Sequence, residues 1–136
     1  MRVRFGDGSA MVAKQGAKLV LEAWMLGELA RTGAVPVPRV IHAEESLLLM
    51  EFIEAGDAID AAAQRHAAEL LAALHAVTAP SYGLERDTLI GGLDQPNAPS
   101  PRWLPFFLDR RLLYMADQAT QTRGITPALR DRKSVV

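Results

Sequence analysis

Residues 9–25 read SAMVAKQGAKLVLEAWM: a short apolar run ends in Lys14, and a helix-forming stretch carrying Glu22 follows it. Upstream, RVRF (residues 2–5) alternates charged and apolar residues and GDG (residues 6–8) supplies a turn, so Arg2 to Lys14 reads as a β-hairpin. From Ala17 to Arg31 good helix formers dominate, apolar on most faces, with Gly33 where a C-terminal cap belongs. That pattern predicts a largely buried helix.

Two further strands follow from VPVPRVIHA (residues 35–43) and SLLLMEFIE (residues 46–54), antiparallel about a turn at Glu44 and Glu45. Ile59, Ala63, Ala67, Leu70, Leu71, Leu74 and Val77 then recur at helical spacing, predicting an amphipathic helix over Asp57–Val77 that packs on the sheet or on later helices. Thr78–Pro101 carries three glycines and four prolines and reads as a long loop. Ser100 and Pro101 are placed as N-cap and first residue of a last helix running to about Thr122. The order predicts an α+β fold: a four-stranded antiparallel sheet with one helix inserted after its second strand, then helices.

The 136 residues suit one domain with a real core. Hydrophobic content of 49%, 23% charged residues and a mean hydropathy of +0.05 describe a soluble chain, with no apolar run of membrane-spanning length. A net charge of −1 argues against nucleic acid as a partner. Zero cysteines exclude disulfides and thiolate metal sites, and MRVRFGDGSAM lacks the apolar core of a signal peptide, so the expected compartment is the cytoplasm.

Lys14 has two readings: a solvated residue at a strand end, or an ammonium on the sheet's ligand face, held by a helical carboxylate so that it meets phosphate oxygens. Strand-borne V-A-K followed by a helical Glu is a kinase-type order. Glu22 sits in an early helical turn among apolar neighbours, where Lys14 and Lys18 compete as its partner. Glu51, Phe52 and Ile53 end an apolar strand before a glycine-containing turn. Their backbone is either an ordinary core strand or a hinge that meets an adenine. His66 and His75 lie nine positions apart, about 900° of helical rotation, so they do not share a metal site. No G-x-S-x-G or P-loop motif occurs. Trp103, Phe106, Phe107 and Tyr114 lie on the last predicted helix, where core packing is the default role of aromatic side chains.

Taken in order, VAK, LEAWMLGELA, VPVPRVI, LLLMEFIE, AAELLAALHA, YGLERDTLIGGLDQPN and WLPFFLDRRLLYMA give the chain a resemblance to the fructosamine kinase (ketosamine-3-kinase) family, relatives of the aminoglycoside phosphotransferases with a protein-kinase-like fold. The likeness runs from about Arg2 to Arg130. Its most specific block is Asp87, Gly91, Gln95, Asn97, Trp103, Phe106, Phe107, Arg111 and Leu112 at the family's spacing. The resemblance implies Lys14 as the ATP-phosphate lysine, Glu22 as its ion-pair partner, and Glu51, Phe52 and Ile53 as the adenine hinge. It also implies ATP and Mg2+ as cofactors and a small-molecule ketosamine or glycated amine as substrate, phosphorylated on a sugar hydroxyl in aid of deglycation.

The chain departs from that pattern in lacking an H-G-D type loop, so no catalytic or metal-binding aspartate is assigned. The expected layout is a partial N-terminal ATP-binding lobe over 1–56, the start of an incomplete helical C-terminal lobe over 57–130, and a non-native tail over 131–136, with the chain inactive alone. A non-catalytic nucleotide- or partner-binding module and an aminoglycoside- or choline-type phosphotransferase fragment are the alternatives.

Overall fold

A computed structural model of the chain describes residues 1–54, 56 and 58–122. The tail expected over 131–136 and the stretch over 123–130 lie outside the described residues. The chain divides into two compact units, Met1–Thr78 and Ala79–Val136. The division falls after the second long helix.

In the first unit β1 (Arg2–Arg4) and β2 (Ala10–Gln15) form the expected hairpin, with Val3 opposite Met11. Its turn uses Gly8 at φ 87°, and Asp7 closes it: the Asp7 carboxylate accepts from the Ser9 hydroxyl at 2.7 Å and the Ser9 amide at 2.9 Å. These donors, the hydroxyl first, hold the Asp7 carboxyl below its ordinary value of 3.8. The carboxylate's support of the turn is therefore complete above that value and is lost as pH falls through the lowered one.

The helix α1 (Leu19–Thr32) follows β2, and β3 (Val40–Ala43) and β4 (Leu47–Glu51) complete an antiparallel sheet of order β1-β2-β4-β3. Gly33 ends α1 in the left-handed region at φ 65°, its N–H donating to the Ala30 carbonyl. Ala13, Leu19 and Leu48 are buried. Leu19 is the one buried residue of α1, so the helix is not largely buried as its composition predicts. It packs on β3 and β4 through one side.

A second helix, α2 (Ala61–His75), lies inside the expected span and is capped by Asp60, whose carboxylate accepts from the Ala63 amide at 2.8 Å. None of its residues is buried, and Leu71 keeps 52% of its surface exposed. The expected core face is thus formed but not covered among the described residues. An alanine-rich, well-capped segment is helical on local grounds, whereas burial needs a partner surface.

The second unit corrects the expectation of a plain loop over Thr78–Pro101. β5 (Thr88–Ile90) and β6 (Leu93–Gln95) form a two-stranded hairpin about Gly91 and Gly92, with Gly91 at φ 61°. Tyr82 and Ser100 are joined by a reciprocal pair of backbone hydrogen bonds, 2.9 Å each. Because Ser100 is still extended there, the last helix starts two residues later than its Ser-Pro signal suggests: α3 is Trp103–Phe107 with Arg102 as N-cap. A π-helical segment, Leu108–Leu113, connects α3 to α4 (Tyr114–Gln121).

Around this helix Asn97, 1% exposed, uses its whole side chain. Its Nδ2 donates to the Thr88 hydroxyl at 2.8 Å and the Arg86 carbonyl at 3.2 Å, and its Oδ1 accepts from Arg111 Nη2 at 2.6 Å. The Asp87 carboxylate accepts from the Asn97 amide at 2.7 Å. Gly83, at φ 110°, passes so close that a Cβ there would lie 2.4 Å from the Asn97 carbonyl oxygen. We expect Gly83→Ala to cost about 2 kcal/mol or more, from left-handed strain and backbone overlap together, read as a lowered denaturation midpoint in urea.

Candidate functional site

The register places Arg2, Val12 and Met50 in one row across the sheet, and Lys14 and Leu48 in another. Side chains opposite each other or two apart along a strand share a face, so these five lie on one side. This is the side on which α1 docks. Three main-chain amides at the entrance of α1 are held by the β3–β4 turn: Gly16 donates to the Ser46 carbonyl at 3.3 Å, Lys18 to the Glu45 carboxylate at 3.1 Å, and Leu19 to the Glu45 carbonyl at 3.2 Å. Lys18 itself adopts the left-handed conformation, φ 60°, which swings the chain from β2 into the helix.

Glu22 falls one turn after the buried Leu19 and so faces the sheet. Lys14 Nζ donates to its two carboxylate oxygens at 2.8 and 2.6 Å. The structure therefore brings Lys14 to Glu22. The two side chains are 48% and 31% exposed, so the pair stands at an open surface. An ammonium has three N–H donors; two here face Glu22, and the third remains for a further acceptor.

Of the expected hinge residues, Glu51 closes β4, its amide donating to the Arg39 carbonyl at 2.9 Å while its carboxylate accepts from the Arg39 amide at 3.2 Å. Phe52 and Ile53 continue past the end of the ladder, and Ile53 is 56% exposed. Met11 pairs with Glu51 and Lys14 with Leu48, so the hinge end of the face lies three residues, about 10 Å, from Lys14 along β2. Arg2 was not singled out by sequence reasoning. Its guanidinium carbon lies 3.8 Å from the centre of the Phe52 ring, and a period-2 reading of RVRF against MVAK carries the signal that would have placed it on this face.

The second unit holds the family-spaced residues. Asp87, Asn97 and Arg111 form the network described above, and Gln95 joins it by accepting from the Thr88 hydroxyl at 3.1 Å. Arg111 also donates to the Pro96 carbonyl at 2.6 Å and lies over the Phe106 ring at 4.6 Å. Burial pushes the Arg111 guanidinium below its ordinary pKa range, with Asp87 acting the other way. Trp103 stacks on Phe107 with centroids 5.3 Å apart and meets Tyr82 at 5.4 Å, and these three rings are about half exposed. That is less burial than the core role expected of Trp103 and Phe107. Among the described residues no cluster of three His, Asp or Glu is arranged to hold a metal ion, and no helix is long and apolar enough to cross a membrane.

The family model described as Fructosamine kinase matches residues 12–135. The chain belongs to the fructosamine kinase family. A protein of Enterococcus faecium described as a probable ketoamine kinase is 35% identical over 103 residues, covering 76% of this chain and 31% of that protein. One from Synechocystis with the same description is 31% identical over 119 residues, covering 85% and 40%. Among crystal structures, a protein of Thermobifida fusca assigned as a fructosamine-3-kinase is similar at 30% identity and a TM-score of 0.78, over 93% of this chain and 46% of its own. One from Haemophilus somnus, also assigned as a fructosamine-3-kinase, gives 26% identity and a TM-score of 0.75, over 84% and 42%. The chain thus spans about a third to a half of the length of these relatives. The α+β fold with a kinase-like sheet and one inserted helix, expected from the sequence, stands.

An ion pair as exposed as Lys14–Glu22 contributes little to stability. In a double-mutant cycle of Lys14→Met and Glu22→Gln, chemical denaturation should return a coupling of about 0.2 to 1 kcal/mol; a coupling above 3 kcal/mol would mark a structural role instead.

Proposed function

We propose that the face carrying Lys14 is the nucleotide-binding face of an ATP-dependent small-molecule kinase. The observation that carries this reading is the bidentate Lys14–Glu22 pair at an open surface, which leaves one N–H of the ammonium for a phosphate oxygen. Val12 and Met50 supply an apolar surface on the same face for a base, and the distance from Lys14 to the strand end, about 10 Å, is of the order that separates a base edge from the phosphates. The Glu51 amide is already engaged by Arg39, so recognition of the base edge falls to the Glu51 carbonyl and to the main chain of Phe52 and Ile53.

The phosphoryl acceptor we propose is a sugar hydroxyl of a ketosamine or glycated amine, in a reaction that labilises the adduct, with the protein working in the cytoplasm where ATP is held. The support is family membership and relatives described as ketoamine kinases. Mg2+, which the family implies, finds no ligand set of three His, Asp or Glu among the described residues. A base to accept the hydroxyl proton is likewise unassigned, because no H-G-D loop occurs in these 136 residues.

Two outcomes follow for the chain as it stands. ATP should bind saturably by calorimetry, and Lys14→Met should weaken that binding about tenfold or more, the size of one charge-assisted phosphate contact. Absence of ATP binding by the unaltered chain would overturn the reading. The chain alone should turn over no substrate, and ATP-dependent phosphorylation of a fructosamine by it would contradict the assignment of no catalytic residue.

A further inference from the structure

We propose that Arg2 is a positioning residue that latches the hinge segment to the nucleotide-binding face. The inference rests on the nucleotide-binding reading of that face and adds to it a residue outside the Lys14–Glu22 pair and outside the hinge itself. Arg2 lies on the edge strand β1, opposite Val12, and β2 separates it from β4. Its side chain nevertheless reaches Phe52, just past the end of β4, with the guanidinium carbon 3.8 Å from the ring centre. It also comes within 3.8 Å of the Glu54 carboxylate.

The geometry gives this contact a task. The ladder between β2 and β4 stops at Met11 and Glu51, so Phe52, Ile53 and Glu54 run on without cross-strand pairing. A segment that is to present main-chain groups to a base has to be held at a set height over the sheet. Arg2 holds it from across β2, and β1 is itself anchored beside that point: the Met1 ammonium donates to the Ala13 carbonyl at 2.8 Å, and the Ala13 amide to the Met1 carbonyl at 2.8 Å. The Glu54 end contributes little, because that carboxylate is 87% exposed. The ring contact is therefore the effective one, and it uses the flat guanidinium, which a lysine ammonium does not reproduce.

The test separates the base from the phosphates. ATP and inorganic tripolyphosphate are titrated by calorimetry against the unaltered chain, Arg2→Ala, Arg2→Lys and Lys14→Met, with thermal melting of each free protein as the control for folding. A latch predicts that Arg2→Ala and Arg2→Lys both weaken ATP about threefold to tenfold while tripolyphosphate binding stays within twofold of the unaltered chain, whereas Lys14→Met weakens both ligands. Full ATP affinity in Arg2→Lys would reduce Arg2 to a positive charge and overturn the latch. So would equal weakening of ATP and tripolyphosphate in Arg2→Ala, or unchanged ATP binding in both variants. In those three outcomes the nucleotide-binding reading survives. An unaltered chain that binds neither ligand removes that reading and the latch with it. If Arg2→Ala fails to melt cooperatively, Arg2→Lys carries the comparison, since it keeps the charge and most of the aliphatic stem.

Discussion

The docking of α1 on the sheet is the constraint on which the candidate site depends. Three amides at the helix entrance are taken by the Glu45–Ser46 turn, and Leu19 and Leu48 are removed from water at that junction. Full burial of a leucine side chain contributes about 2 kcal/mol, whereas an exposed ion pair contributes at most about 1 kcal/mol. The Lys14–Glu22 pair is therefore a consequence of the docking and not its cause. The left-handed conformation of Lys18 costs about 1 kcal/mol. The Glu45 contacts at and beside that residue offset it, because they satisfy helix-entrance donors that have no partner within the helix.

The second unit is built on a different principle. Beside the buried Phe106 its centre carries a polar network: Asn97 has both side-chain ends in hydrogen bonds, and Arg111 reaches Asn97 and the Pro96 carbonyl from within a π-helical turn. Such a network tolerates little change, since removing one member leaves a buried partner unsatisfied. This gives a physical reason for the spacing of Asp87, Gln95, Asn97 and Arg111 along the chain. Asp87 and Gln95 fix the hairpin region to itself, through the Asn97 amide and the Thr88 hydroxyl, Arg111 ties it to the helix through Asn97 and Pro96, and Gly83 is the residue small enough to let the chain pass the Asn97 carbonyl.

In the first unit, local signals read correctly where the cause of the structure is local. The Arg2–Lys14 hairpin, the Gly33 cap and the Asp60-capped helix all follow from turn, cap and propensity chemistry within a few residues. The β5–β6 hairpin was legible too, in TLI-GG-LDQ, but the prolines around it favoured a loop reading. Ser100 and Pro101 carry a helix-start signal that is displaced because Ser100 is tied to Tyr82 eighteen residues earlier. For Glu22 the sequence offers Lys14, nearest by order and favoured by the family resemblance, with Lys18 as a competitor one turn earlier on the same helix. The placement of α1 against β2 brings Lys14 onto both carboxylate oxygens.

Legible along the chain were the family and, over residues 2–75, the four strands and two helices in their order, because these rest on periods of two and 3.6 residues, on turn chemistry and on spacing along the chain. Packing in three dimensions set the two-pronged contact of Lys14 with Glu22, the seat of Arg2 on Phe52 fifty residues away, and the completion of Asn97 by Arg111. It also left the apolar stripe of α2 without a buried residue. The reason is common to all four: a side chain's own pattern specifies the direction in which it projects from its element, but its partner is specified by the packing of a second element, which no local interaction encodes.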